Sequence, residues 1–209
     1  MKGIDPKTLP GREEKFALFA HARERFLERG YEAIGMDHFA KPSDELAVAR
    51  REGRLRRNFQ GYSVVPTDDV LGLGISAIGD LQGAYVQNHK KISGYRAAVD
   101  AGRLPVERGV VLSEDDKLRR KVIQELMCNG RIDVRAFENE CGIPFREYFR
   151  EDLALLEEHE REGLVHVDAQ FVTASPLGEA FVRNLAMCFD RYLREKHADD
   201  KHIPFSRTV

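Results

Sequence analysis

Two short windows hold most of the side chains that could do chemistry. The first, residues 58–80 (NFQGYSVVPTDDVLGLGISAIGD), joins an aromatic–amide–glycine corner, Phe59-Gln60-Gly61, to an acidic turn, Thr67-Asp68-Asp69. An apolar run follows and ends in Gly72-Leu73-Gly74-Ile75-Ser76-Ala77-Ile78. Glycine beside an apolar run lets backbone approach a ligand or a packed neighbour closely. Phe59 and Ile78 offer aromatic and aliphatic walls, and the Gln60 amide can hydrogen-bond a polar edge. Both apolar residues could equally be plain core. Residues 72–77 also fit the pattern G-x-G-x-x-A. No opening βαβ unit accompanies them, and residues 90–99 lack the acidic group that dinucleotide binding wants about 20 positions on, so that use is set aside.

The second window is Met36-Asp37-His38-Phe39, which follows a short apolar run. Asp37 could fix the tautomer of His38, and His38 could hydrogen-bond a substrate; a satisfied structural pair is the plainer alternative. Arg50, Arg51, Arg54, Arg56 and Arg57 then cluster at and beyond the end of a helix. They read either as a solvated face that complements the helix dipole or as guanidinium forks for carboxylates. Cys128, Cys141 and Cys188 are far apart, without disulfide-framework or zinc spacing, and read as packed thiols of a reducing cytoplasm.

Elements must position these groups. Of 209 residues, 42% are hydrophobic and 33% charged, and the net charge is −2. This describes an ordinary globular chain with no bias toward nucleic acid or anionic membrane. No apolar run approaches the ~20 residues that span a bilayer, and the N-terminus lacks a signal-peptide core. After a loop over residues 1–10, broken by Pro6 and Pro10, apolar spacing predicts a helix over residues 11–29, capped by Gly30. Residues 33–36 read as a strand. A helix begins at Pro42-Ser43, with Asp44 and Glu45 in its first turn and Gly53 beyond its end, and residues 70–75 read as a second strand. Helix–strand–helix–strand predicts a parallel α/β layer, too small to stand alone.

A boundary near residue 103 divides 1–102 from 103–209. Beyond it, Ser113 and Asp116 predict a capping box for a helix that ends at Gly130. Helices are expected over 134–141 and 144–162, a hairpin over 164–173, and one long helix from Ser175-Pro176. This is a winged-helix-like pattern, mostly helical, expected to be the more stable half. Its candidate recognition helix, residues 146–161, carries six acidic residues against three arginines. Helices that approach phosphates are usually basic, so DNA binding is rejected.

Residues 30–62 (GYEAIGMDHFAKPSDELAVARREGRLRRNFQGY), the 58–80 window, and the runs RRKVIQELMCNGRID, YFREDL, GLVHVD and AMCFDRYLREK resemble the oxygen-independent coproporphyrinogen III dehydrogenases. These are radical S-adenosylmethionine enzymes of haem biosynthesis. The resemblance covers nearly the whole chain. It implies that residues 1–102 are the C-terminal part of a partial (β/α) barrel, and that Phe59, Gln60 and Ile78 touch a second S-adenosylmethionine. It implies a substrate, coproporphyrinogen III, decarboxylated oxidatively to protoporphyrinogen IX. The family's Cys-x-x-x-Cys-x-x-Cys loop for a 4Fe–4S cluster is absent. The chain therefore reads as the C-terminal portion of such an enzyme, without the N-terminal part of the barrel, without metal ligands, and inactive alone. Asp37 and His38 are the catalytic candidates. The alternative is a non-catalytic haem- or tetrapyrrole-binding relative, with His38, His89 and Cys128 as candidate axial ligands.

Overall fold

Helix α1 (Arg12–Glu28) ends where Gly30 takes φ 76°, a left-handed conformation that glycine adopts without steric cost. The structure, a computed structural model, describes residues 5, 8–65 and 69–199. Pro6, Thr67 and Asp68, on which the opening loop and the acidic turn partly rested, lie outside the described residues. Helix α2 (Glu45–Arg51) is capped by Asp44, whose carboxylate accepts from the Leu46 N–H at 2.9 Å.

The strands depart from the expected parallel layer. β1 (Glu32–Gly35) turns through Met36-Asp37 into β2 (His38–Ala40), and β3 (Arg56–Asn58) turns through Phe59-Gln60 into β4 (Gly61–Ser63). Both are antiparallel hairpins. β5 (Ile78–Leu81), β6 (Ala84–Asn88) and β7 (Val106–Val111) form an antiparallel sheet in that order, with α3 (Ile92–Asp100) between β6 and β7. No parallel pair occurs among the described residues.

Residues 70–75 are not a strand. Only Val70 bridges to Asp80, and Leu71, Leu73 and Ile75 point outward. The buried Asn88 amide holds this segment instead, donating to the carbonyls of Gly72 (2.8 Å) and Gly74 (2.9 Å). A side chain on Gly72 would meet the Ile78 backbone at 2.9 Å, so this glycine serves close backbone packing.

The second half follows its local signals closely. α4 (Glu114–Asn129) starts on the Ser113/Asp116 capping box and ends at Gly130, φ 65°. β8 (Arg131–Asp133) leads into α5 (Val134–Cys141). The expected helix over 144–162 is broken at Phe149 into α6 (Phe145–Tyr148) and α7 (Arg150–Arg161). β9 (Val165–Val167) and β10 (Phe171–Ala174) form the hairpin, and β10 pairs with β8 on its other edge. The single long helix expected after Ser175 is also interrupted. A 3-10 turn at Gly178–Phe181, α8 (Val182–Met187) and α9 (Arg191–Asp199) replace it. The break falls at Phe189, whose ring is buried and whose carbonyl accepts from Arg119 at 3.0 Å.

Among the described residues, sixteen buried ones form the larger core, around a cluster of edge-on and tilted rings from Phe137, Phe145, Phe149 and Phe189. A second core, among the described residues, holds only six, and one of these is Cys128 from α4. α4 thus belongs to both cores and ties the halves together. Hydrogen exchange is expected to be slowest in α4, α7 and α8 and faster in β1–β4, because opening free energy scales with local apolar burial. Stronger protection in β1–β4 than in α7 would contradict this.

The N-terminus of α4 adds a pH dependence. Burial opposes ionisation of Asp115 and Asp116. Hydrogen bonds from Tyr148 and Arg119 to Asp115, and from Ser113 to Asp116, outweigh it and hold both carboxyls below the usual range. Carboxyls depressed in the folded state add stability that is present above their unfolded pKa, about 3.9, and lost as pH falls through the lower folded values. Asp116→Asn should flatten the fall of melting temperature in that acid window. An unchanged slope would remove Asp116 from the account.

Candidate functional site

α4 and the β5–β6–β7 sheet enclose a cleft of about 670 Å³, within the range typical of small-molecule sites. Its floor follows from strand alternation. Asp80 pairs with Tyr85, and Tyr85 with Val110, so the three side chains share one face of the sheet and line the cleft. Arg120, on α4, closes over this face. It reaches both carboxylate oxygens of buried Asp80, and its guanidinium lies 5.2 Å from the Tyr85 ring centroid. Ile123, Gln124 and Met127 continue the α4 wall, and the turn from Phe189 to Tyr192 forms the far rim.

The β3–β4 hairpin delivers its tip to this cleft. Asn58 Oδ1 accepts from the N–H groups of Gln60 (2.9 Å) and Gly61 (3.2 Å), an Asx turn that fixes the two-residue loop. Phe59 lines the cleft and meets Tyr85 edge-on, 5.1 Å between centroids, yet remains 55% exposed. Gln60 is the other tip residue and is exposed; it is not among the lining residues. Ile78 opens β5 opposite Gln87, on the same sheet face as Asp80 and Tyr85, one pair beyond the cleft lining. Of the three expected contacts only Phe59 lines the cleft; Ile78 shares the sheet face of Tyr85, and Gln60 is the neighbour of Phe59 at the hairpin tip.

Asp37 and His38 are placed differently. They belong to the β1–β2 turn and the start of β2, where Asp37 Oδ1 lies 2.9 Å from His38 Nδ1. His38 packs edge-on to Tyr62, and neither residue lines the cleft. Gly35 is required beside them, since a side chain there would strike the Tyr62 hydroxyl. That hydroxyl donates to the Met127 carbonyl at 3.2 Å, and burial raises its pKa.

The arginine cluster separates into distinct roles. Arg50 donates to the carbonyls of Ala33 and Ile34 and pairs with Glu179 at 2.6 Å. Arg51 pairs with Glu32, Arg54 with Glu52 and Arg56 with Glu125. Arg57 has no such carboxylate among the described residues and lines the cleft. The axial-ligand candidates gain no support from their surroundings. His89 faces Glu107, while Cys128 is packed in the smaller core and burial pushes its thiol up to about 12.

Sequence reasoning passed over Asp80, Tyr85 and Arg120. Period-two alternation through residues 78–88 would have put Asp80 and Tyr85 on one face. Nothing local marks Arg120 as their partner, 40 residues away.

Comparison with known proteins adds a lineage to this geometry. Residues 112–181 match the HemN C-terminal domain. Similarity to HemN proteins extends well beyond that segment. The chain is 44% identical over 193 residues to the oxygen-independent coproporphyrinogen III oxidase of Salmonella typhimurium, covering 92% of this chain and 42% of that protein. Against the Thermostichus vulcanus oxidase it is 43% identical over 196 residues, 93% of this chain and 60% of the relative. The solved structure of HemN from Escherichia coli, described as a radical SAM enzyme, superposes with a TM-score of 0.86 at 42% identity, covering 90% of this chain and 44% of that one. The chain thus spans about half the length of the curated relatives it matches and shares their mixed α/β fold. No helix among the described residues is long and apolar enough to cross a membrane.

Proposed function

We propose that this chain is the C-terminal part of an oxygen-independent coproporphyrinogen III oxidase, which converts two propionates of coproporphyrinogen III to vinyls and yields protoporphyrinogen IX. The supporting observation is the fold shared with HemN over nine-tenths of the chain at 42% identity. In this reading residues 1–102 complete one side of the family's partial (β/α) barrel, and residues 103–209 form a winged-helix-like unit against it. β7 crosses back to the first unit's sheet. The antiparallel pairs seen here leave the parallel barrel strands to an N-terminal part. Apolar surface left open on α1, residues 71–75 and β7 suits such a covering partner.

Of the family's two cofactors, S-adenosylmethionine is the one that residues of this chain would hold, and exposed Phe59 on the cleft supports that reading. S-Adenosylmethionine, when bound, would supply the hydrogen-abstracting group. Here the free face of Phe59 would pack on its adenine, Ile78 would extend the apolar wall, and Gln60 would hydrogen-bond a polar edge. The 4Fe–4S cluster does not fit. Among the described residues no three potential ligands converge, and Cys128 and Cys188 are buried thiols pushed up to about 12 and 11. Cluster ligation therefore falls to the N-terminal part. The location consistent with this reading is the cytoplasm.

The test is a chimaera. Joined to the N-terminal part of the Escherichia coli relative and reconstituted anaerobically, the chain should form protoporphyrinogen IX, whereas alone it should form none. Product from the isolated chain, or none from a folded chimaera that holds its cluster, overturns the proposal.

A further inference from the structure

Arg57 differs from the other guanidiniums around it. Arg119, Arg120 and Arg191 also line the cleft, and each has a carboxylate partner: Asp152 at 2.7 Å, Asp80, and Asp115 at 2.7 Å. Arg57 has none among the described residues, and its buried Nη1 has no acceptor at hydrogen-bond distance. Tyr62 lies beneath it, with the guanidinium 5.1 Å from the ring centroid. That hydroxyl donates to Met127 and also interacts with the Arg57 guanidinium, but as a neutral phenol it leaves the positive charge uncompensated. The main chain is pinned as well, since Gln124 donates to the Arg57 carbonyl at 3.0 Å. An N–H withdrawn from solvent and left unpaired is costly, and a guanidinium fork matches a carboxylate bidentately. Beside it, Phe59, Ile123 and Met127 present apolar wall.

We propose that Arg57 anchors the carboxylate of a ligand whose aromatic or apolar body fills the cleft, making it a specificity-determining residue. This rests on the cleft being the ligand site of the proposed oxidase. Two sources share that chemistry: the amino-acid end of S-adenosylmethionine and a propionate of the tetrapyrrole. The rest of the basic cluster is already paired and serves structure.

Binding measurements on the 209-residue chain separate the possibilities. The probes are S-adenosylhomocysteine, methylthioadenosine (which lacks the carboxylate), coproporphyrin III and its tetramethyl ester. Arg57→Gln should weaken one carboxylate-bearing probe by about tenfold or more, while Arg57→Lys restores part of the loss. Loss confined to S-adenosylhomocysteine assigns the cofactor carboxylate; loss confined to coproporphyrin III assigns a propionate. The matching carboxylate-free probe should not respond to the substitution. If the wild-type chain binds a carboxylate probe and Arg57→Gln binds it equally well, the anchor is refuted and the cleft reading stands. If the wild-type chain binds none of the probes, either alone or joined to the N-terminal part of the Escherichia coli relative, the cleft reading falls and takes the anchor with it. Should Arg57→Gln fail to fold, the Arg57 side-chain ¹⁵N resonance of the wild-type protein decides. It should move with the acid and stay put with the ester or methylthioadenosine, and a resonance that ignores the acids refutes the proposal.

Discussion

Replacing Gly178 by alanine should destabilise the C-terminal half more than any loss of an exposed side chain. Gly178 is buried in the 3-10 turn before α8, and a methyl group there would sit 1.7 Å from the Leu164 carbonyl oxygen and 2.7 Å from its carbon. The obstacle is backbone, which cannot rotate away as a side chain tip would. Moving it is costly locally, because Leu164 O accepts from Ser175 N–H at 2.9 Å and Gly178 N–H donates to Ser175 Oγ at 3.0 Å. Overpacking of well-ordered interiors costs about 1–3 kcal/mol and sometimes more. Rigid backbone on both sides puts this site at about 3 kcal/mol or above, a fall in melting temperature of roughly 6–12 °C for a chain of this size. Gly142→Ala is a useful comparison. Nothing lies within 4 Å of its added methyl, so its cost comes only from φ 67°. A Gly178 variant no less stable than the Gly142 variant would show that the 175–181 turn yields.

The sequence was most legible where structure is set by near neighbours. The Ser113/Asp116 box, the left-handed glycines Gly30, Gly53 and Gly130, and the span 134–141 each carry their signal within one helical turn, and each element stands as expected. It was least legible where a distant group decides. Residues 70–75 resemble a strand because they are apolar, but Asn88, on β6, captures their carbonyls and turns Leu71 and Leu73 outward. The β1–β2 and β3–β4 turns contain Met36-Asp37 and Phe59-Gln60 rather than the Asn-Gly type that announces a hairpin. Strand order alone then favoured a parallel layer. The long helices at 144–162 and after 175 were broken by the burial of Phe149 and Phe189, which helical periodicity does not reveal. Phe59 is a candidate from its aromatic–amide–glycine corner and the family resemblance, whereas Asp80–Arg120 becomes visible only once α4 is laid across the sheet.

The other large effect is expected at Asp152. Its carboxylate is 1% exposed, accepting from Arg119 at 2.7 Å and lying 3.1 Å from Arg194. Burial pushes this carboxyl up, against the pull of the two guanidiniums. Arg119 in turn bonds Asp115 and the Phe189 carbonyl, so one buried acid joins α4, α7, α9 and the cleft rim. Asp152→Ala leaves Arg119 with a remaining partner in Asp115 but deprives its inner face of charge compensation. Removing one partner of a buried ion pair costs about 3–5 kcal/mol, because the other charge stays desolvated. Asp152→Asn should cost less than Ala, since the amide keeps an acceptor for Arg119 while losing the charge. The effect should also reach the cleft, because Arg119, with its pairing to residue 152 weakened, holds the Phe189 carbonyl less firmly and the Phe189–Tyr192 rim loosens. Cleft-ligand affinity should fall in Asp152→Asn at temperatures where the protein is still folded by circular dichroism. A variant that loses stability yet binds with full affinity would confine Asp152 to the core and free the rim from this network.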